Sequence, residues 1–309
     1  MTNLSAETGQ DLRDALQPLA ASLDELALAA RDVFGHILPL DPSPCMLDLA
    51  NEEGFRTTQS AIPITNTLGY SSMLGVAAVD GLRGFAHHLT HPDLLIWAHL
   101  VNARACLDAA AYAFWLGEPG IGTAARVERG IAMRLHNAAA MKRAPVQATV
   151  ARENATRVRD SAKAAAAELN LSVSGQKAPI SVGTSTFPTP RNAIAAVLSY
   201  RTDEDLASLA DLLWWMYSGF THGAPYALMM AVGTDESEAT AVDGVRTAPL
   251  SSDGNLISTA AFAVATATAN AAIAHASYQG RSADEVASAL LRTRHVNAGI
   301  RKAIRATAS

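Results

Sequence analysis

Arg104 and Asp108 stand four residues apart in a helical stretch, and the same face carries Trp97, Val101, Ala111 and Trp115. At about 100° per residue these side chains form one stripe. A cation and an acid between two tryptophans do not read as a solvated face. They read either as a buried structural ion pair, or as a pocket wall where Arg104 binds an anion and Asp108 handles a proton. A second cationic surface follows, with Arg126, Arg129, Met133, Asn137 and Ala140 roughly in line. Arginines in the first turn of a helix oppose its dipole, so these two require anionic partners: Asp108, or a ligand carboxylate or phosphate.

The third group lies in the helix after Asp203. Leu206, Leu209, Leu213, Met216 and Phe220 make an apolar stripe expected to face the core. Asp211, Trp215, Ser218, His222 and, if the helix continues, Met229 lie opposite. Ser218 and His222 are four apart, within reach of a direct hydrogen bond, and Pro225 frees the Thr221 carbonyl just beyond them. The pair can be a nucleophile and base, the lining of a pocket, or a satisfied structural histidine with its neighbour. Asp211 is too far along the helix to orient His222. Asp80, Arg83, His87 and His91 form a further polar stripe whose imidazole spacing suits zinc, but no HExxH-like pattern accompanies it, and neither a metal nor a cofactor is expected.

These residues need helices to hold them, and the composition supplies helices. The chain of 309 residues is 49% hydrophobic, 17% charged and only 6% aromatic, with alanine heavily used. Alanine has the highest helix propensity and allows close helix packing. The expected fold is all-α: one domain over 1–309, a bundle of about eight helices with two long irregular loops at 39–70 and 171–190. A third loop, acidic, is expected over 234–254, with room for a hairpin at Val242–Val245. The helices are expected near 10–37, 71–91, 93–116, 123–170 with a break at Pro145, 191–199, 202–223, 255–278 and 282–306. Ser71 or Ser72, Thr202 and Ser282 are the expected caps.

The formal charge of −5 argues against a dedicated nucleic-acid binder, although six basic residues outnumber Glu153 and Asp160 between Lys142 and Lys163, and Arg292, Arg294, Arg301, Lys302 and Arg305 gather in the last helix. No Gly-rich phosphate loop, dinucleotide fingerprint or GxSxG elbow is present. Cys45 and Cys106 show no disulfide framework, which suits a reducing cytoplasm, and Cys106 reads as a small buried hydrophobe. Leu256 to Tyr278 lacks charge over a length that could span a bilayer. Its Ala, Thr, Ser and Asn content reads instead as a buried central helix, with no membrane contact expected.

Two segments resemble a pattern in a family of helical bacterial proteins without an assigned function. One is Ala103 to Leu116 followed by Arg126-Val-Glu-Arg129; the other is Trp215-Met-Tyr-Ser-Gly-Phe-Thr-His-Gly223. The resemblance covers about a third of the chain. It implies an Arg-x3-acid, Arg-x2-Arg and Tyr-Ser-x3-His set: Arg104, Asp108, Arg126, Arg129, Tyr217, Ser218 and His222. The pattern usually carries Glu where this chain has Asp108, one methylene shorter. Helical families of this look include HEPN-type ribonucleases, which use an Arg and a His a few residues apart, and Arg83 and His88 match that spacing.

The expectation from these residues is a pocket for a small polar or anionic ligand. Arg104, Arg126, Arg129, Trp215 and Tyr217 would bind it, and Asp108, Ser218 and His222 would supply hydrogen bonds or acid–base chemistry. Whether the chain is an enzyme stays open. A HEPN-like ribonuclease and a non-catalytic oligomeric scaffold are the alternatives, the latter with a symmetric interface on the Ala-rich last helices.

Overall fold

A computed structural model of the chain describes residues 4–36, 38–91, 98–143, 145, 147–175, 179–202, 206–222, 232–234, 240–242, 245–247, 250–252 and 254–307. It is predominantly helical, and ten α-helices are present among the described residues. In chain order they are α1 (Leu4–Gly35), α2 (Pro44–Asn51), α3 (Pro63–Leu89), α4 (Ala98–Gly117), α5 (Thr123–Met141) and α6 (Thr149–Glu168). Then come α7 (Pro190–Leu198), α8 (Ala207–Thr221), α9 (Gly254–Gln279) and α10 (Asp284–Thr307).

Two of the expected loops hold structure. The stretch expected to be irregular over 39–70 contains α2, a 3-10 turn at Glu52–Phe55 and the first two turns of α3. Ser43 caps α2 by accepting from Met46 N, and Pro44 occupies the first turn, where its missing N–H costs nothing. Ser71 and Ser72 therefore lie inside α3 rather than capping it. The 171–190 stretch forms a small antiparallel sheet of β1 (Val173–Ser174), β2 (Ser181–Val182) and β3 (Ser185–Thr186). The turn at Gly183 (φ +56) brings Thr184 N, Thr184 Oγ1 and Ser185 N onto the buried Glu128 carboxylate of α5. Within 234–254, strand β5 (Thr240–Val242) pairs with β6 (Val245–Thr247) in the expected hairpin register, Val242 opposite Val245. Strands β4 (Val232–Thr234) and β7 (Leu250–Ser252) flank it as a second pair. The break near Pro145 separates α5 from α6 completely. The acidic first turn expected after Thr202, together with Trp97, Pro225 and Met229, lies outside the described residues.

Helix α9 is the hub. It packs on α1, α3, α4, α7 and α10. It is the one described helix long and apolar enough to cross a membrane by length and composition, and 83% of its most apolar window is buried inside the bundle. Small residues let its neighbours come close: Ala260, Ala263, Ala267, Ala271 and Ala274 are all buried. Several of its buried polar groups bond to other helices. Asn270 Nδ2 donates to the carbonyls of Val197 and Tyr200, which close the C-terminal end of α7. Thr268 Oγ1 lies 3.3 Å from Cys106 Sγ. Cys106 behaves as the small apolar residue expected, with burial raising its thiol pKa to about 12.

Two apolar clusters make up the interior. The larger joins α1, α3, α4, α7, α8, α9 and α10. The smaller lies among α2, α5, α6 and the β1–β3 sheet, and Leu74 and Tyr112 pack against both.

Candidate functional site

Helix α4 presents Arg104, Asp108, Tyr112 and Trp115 at intervals of four, four and three, so all four share a face. That face meets α8 at one end and the β3 flank at the other. Arg104 Nε donates to Asp108 Oδ2 at 2.7 Å, and Arg104 Nη1 donates to the Trp214 carbonyl of α8 at 3.0 Å. The same carbonyl is the i−4 acceptor for Ser218 N within the helix, so the guanidinium reaches the turn that carries Ser218. The guanidinium also lies 5.4 Å from the centroid of the Trp214 ring.

Two polar atoms around this guanidinium are buried without a hydrogen-bond partner among the described residues: Asp108 Oδ1, an acceptor, and Trp214 Nε1–H, a donor. Leaving such an atom unpaired costs about 1–3 kcal/mol. The carboxyl as a whole is not sealed off, since the Asp108 side chain is 31% exposed and that of Arg104 13%. Burial raises the Asp108 pKa above the ordinary carboxyl value, against the opposing pull of Arg104. The Tyr112 hydroxyl is likewise pushed up, by burial and then by the Asp108 charge. Farther along the face, the Tyr112 ring stacks on Phe187 at 5.1 Å, and Trp115 meets Phe187 edge-on.

The other two arginines have protein partners. Arg126 is 1% exposed and donates from Nε to Asp48 Oδ2, from Nη1 to the Leu116 carbonyl and from Nη2 to the Glu118 carbonyl. Its guanidinium lies 3.7 Å from the Tyr278 ring centroid, and Tyr278 Oη and Thr123 Oγ1 both donate to Asp48. The anionic partner of Arg126 is thus Asp48 of α2, not Asp108. Arg129 donates to Glu118 Oε2 and to the Trp115 carbonyl, and stands over the Trp115 ring.

On α8 the nominated residues separate. Tyr217 is fully buried in the core, with its phenol pKa raised by burial. Trp215 is 44% exposed, Ser218 half-buried and His222 exposed. Ser218 and His222 are joined through the backbone, His222 N donating to the Ser218 carbonyl, and no side-chain bond links them among the described residues. From Trp214 to His222 the helix advances about 12 Å at about 1.5 Å per residue. The structure therefore brings Arg104, Asp108 and the Ser218 turn together, while Trp215 and His222 face outward.

Arg83 is held by Asp24 at 2.9 Å and shares a surface groove with His87. His88 is not among that groove's lining residues; its ring lies beside His87 and its pKa is lowered, first by burial and then by His87 and His91. No group of three or more His, Cys, Asp or Glu side chains able to hold a metal occurs among the described residues.

Several polar residues at the centre escaped the sequence reading. His275 of α9 is buried beside Ser71, Ser72 and Gln279. Gln279 Nε2 donates to the His36 carbonyl, which fixes the amide so that it also donates to His275 Nε2. Ser71 Oγ donates to the Ala113 carbonyl, leaving its lone pair for His275 Nδ1–H. These partners suit the neutral Nδ1–H tautomer. Burial, with the Arg126 charge adding to it, lowers its pKa to about 4. Asp48, Trp214 and His275 each find their partners on other helices, a pairing that periodicity within one helix does not reveal. The Ser43-Pro44 start is the one local signal that could have placed Asp48 on a helix. No family model, curated protein or solved structure matches the chain.

Proposed function

We propose that the chain binds a small polar molecule, neutral or cationic, at the α4–α8 junction. The observation that carries this reading is the pair of buried unpaired atoms, Asp108 Oδ1 and Trp214 Nε1–H, on the two residues that contact the Arg104 guanidinium. A ligand with a hydrogen-bond donor for the carboxylate and an acceptor for the indole would satisfy both at once. Arg104 anchors the two walls by bonding to α4 and α8 together.

The charge balance favours a neutral or cationic ligand over an anionic one. Arg104, Arg126 and Arg129 are each neutralised by Asp108, Asp48 and Glu118. Desolvation that raises the Asp108 pKa also equips it to accept a proton from a bound ligand and return it, and an acid–base reaction at this carboxyl extends the binding reading. The free, buried cysteines agree with a reducing compartment such as the cytoplasm.

The four tryptophan indoles give a direct test. The Trp214 indole resonance can be assigned in a proton–nitrogen spectrum by comparison with Trp214→Phe. Titration with acetamide, urea, glycerol and ethanolamine should shift it saturably for at least one compound. Asp108→Ala should weaken that response at least ~10-fold, the loss of roughly one charged hydrogen bond. No shift with any of them, or a shift that survives in Asp108→Ala, would overturn the reading.

A further inference from the structure

A cavity lies between α5, α6 and the β1–β2 pair, and none of its lining residues belongs to the α4–α8 junction. It has a volume of about 690 Å³, within the range of roughly 300–1,000 Å³ typical of small-molecule sites. Leu135 and Ala139 of α5, Ala167 of α6, and Leu171, Val173 and Ile180 around the β1–β2 pair give it an apolar floor. The charged side chains that line it are Lys142, Arg159 and Lys163, all basic. Arg159 is partly neutralised by Asp160, its neighbour in sequence. Lys142 and Lys163 are exposed and make no ion pair among the described residues.

This placement runs against the charge of the whole molecule. The chain carries −5, yet from Lys142 to Lys163 six basic residues face only Glu153 and Asp160. A solvated cationic helix pair would serve a polyanion equally well. An apolar floor would not, because a phosphate backbone or a free phosphate has nothing to bury there. An aliphatic chain of about eight or more carbons does, at about 0.8 kcal/mol per buried methylene.

We propose that this groove between α5, α6 and the small sheet binds a single-chain amphipathic anion, a fatty carboxylate or its close relative. The alkyl chain lies on Leu135, Leu171, Val173 and Ile180, and the head group sits between Lys142 and Lys163. The site is independent of the α4–α8 junction and stands or falls separately from it.

Isothermal titration calorimetry of the full chain with dodecanoate, below its micelle concentration, tests this. Dodecanol, inorganic phosphate and a single-stranded RNA oligomer serve as the uncharged, tail-less and polyanionic probes. Saturable 1:1 dodecanoate binding is expected, at least ~10-fold tighter than any other probe. Lys142→Glu/Lys163→Glu should weaken it at least ~10-fold, and Ala167→Trp, which fills the groove from an exposed helical position, should weaken it as much. Circular dichroism melts confirm that both variants fold, and Lys142→Gln/Lys163→Gln replaces the reversed pair if that one does not. No dodecanoate binding, equal or tighter binding of phosphate or RNA, or dodecanoate binding unaffected by the groove variants would overturn the proposal.

Discussion

At 1% exposure the Arg126 guanidinium has given up nearly all its hydration, and three acceptors and the Tyr278 ring replace it. Such a charge is expensive to bury and far more expensive to leave unpaired. Arg126→Ala would strand Asp48 in the interior and should lower unfolding stability by about 3–5 kcal/mol, read from urea denaturation. Arg104→Ala should cost less, since Asp108 is 31% exposed and regains solvent. His275 adds a pH dependence with a definite sign. Its folded pKa, lowered to about 4, lies below an unfolded value near 6.5. The folded state therefore refuses a proton that the unfolded chain accepts. Stability from this group is complete above about pH 6.5 and is lost as pH falls through the window toward 4, on the order of 3 kcal/mol in all. Between pH 7 and 4.5 the urea midpoint of His275→Gln should fall less than that of the natural chain. Equal slopes would show that His275 titrates normally.

Between elements, close approach decides more than propensity. Helix α3 packs most extensively on α4, and a Cβ added at Gly81 would lie 3.0 Å from the Cα of Cys106. Gly299 sits within α10, where an added Cβ would meet nothing. Gly→Ala gains about 1 kcal/mol of helix propensity at either site. Gly299→Ala should therefore raise the thermal midpoint, whereas Gly81→Ala should lower it, an overpacking cost of about 1–3 kcal/mol leaving a net loss of up to about 2 kcal/mol. A stabilised Gly81→Ala would mean that α3 and α4 can part freely. The helices themselves were legible in the sequence. Alanine content and the Ser282 start place α7, α9 and α10 within about two residues of their observed ends. Helix α2 was missed because eight residues carry too little periodicity, and prolines on both sides made the region read as loop. The site was legible only in part. The Arg104–Asp108 pairing follows from i, i+4 spacing, whereas Trp214 enters through a contact 110 residues away. Trp215 was favoured over it by helical phase alone, and it lies on the exposed face of α8, opposite the buried Ala210, Leu213 and Tyr217.

For the whole molecule, the two apolar clusters share Leu74 and Tyr112, and α3 runs from one to the other. Calorimetry should accordingly show one transition, with van't Hoff and calorimetric enthalpies equal. Two resolved transitions would divide the chain into separately folding halves. The two polar regions of the interior then have different duties. Asp48, Arg126 and Tyr278 satisfy one another and tie α2, α5 and α9 together. The α4–α8 junction alone combines a half-buried acid with an adjacent donor and acceptor that lack protein partners among the described residues. A crystal soaked with the small amide or polyol that shifts the Trp214 indole most tests this central claim directly. The account predicts electron density for the compound within about 3 Å of both Asp108 Oδ1 and Trp214 Nε1, the ordinary hydrogen-bond distance. Clear density for both side chains, with the two atoms bonded to protein groups and the compound absent from the junction, would contradict it.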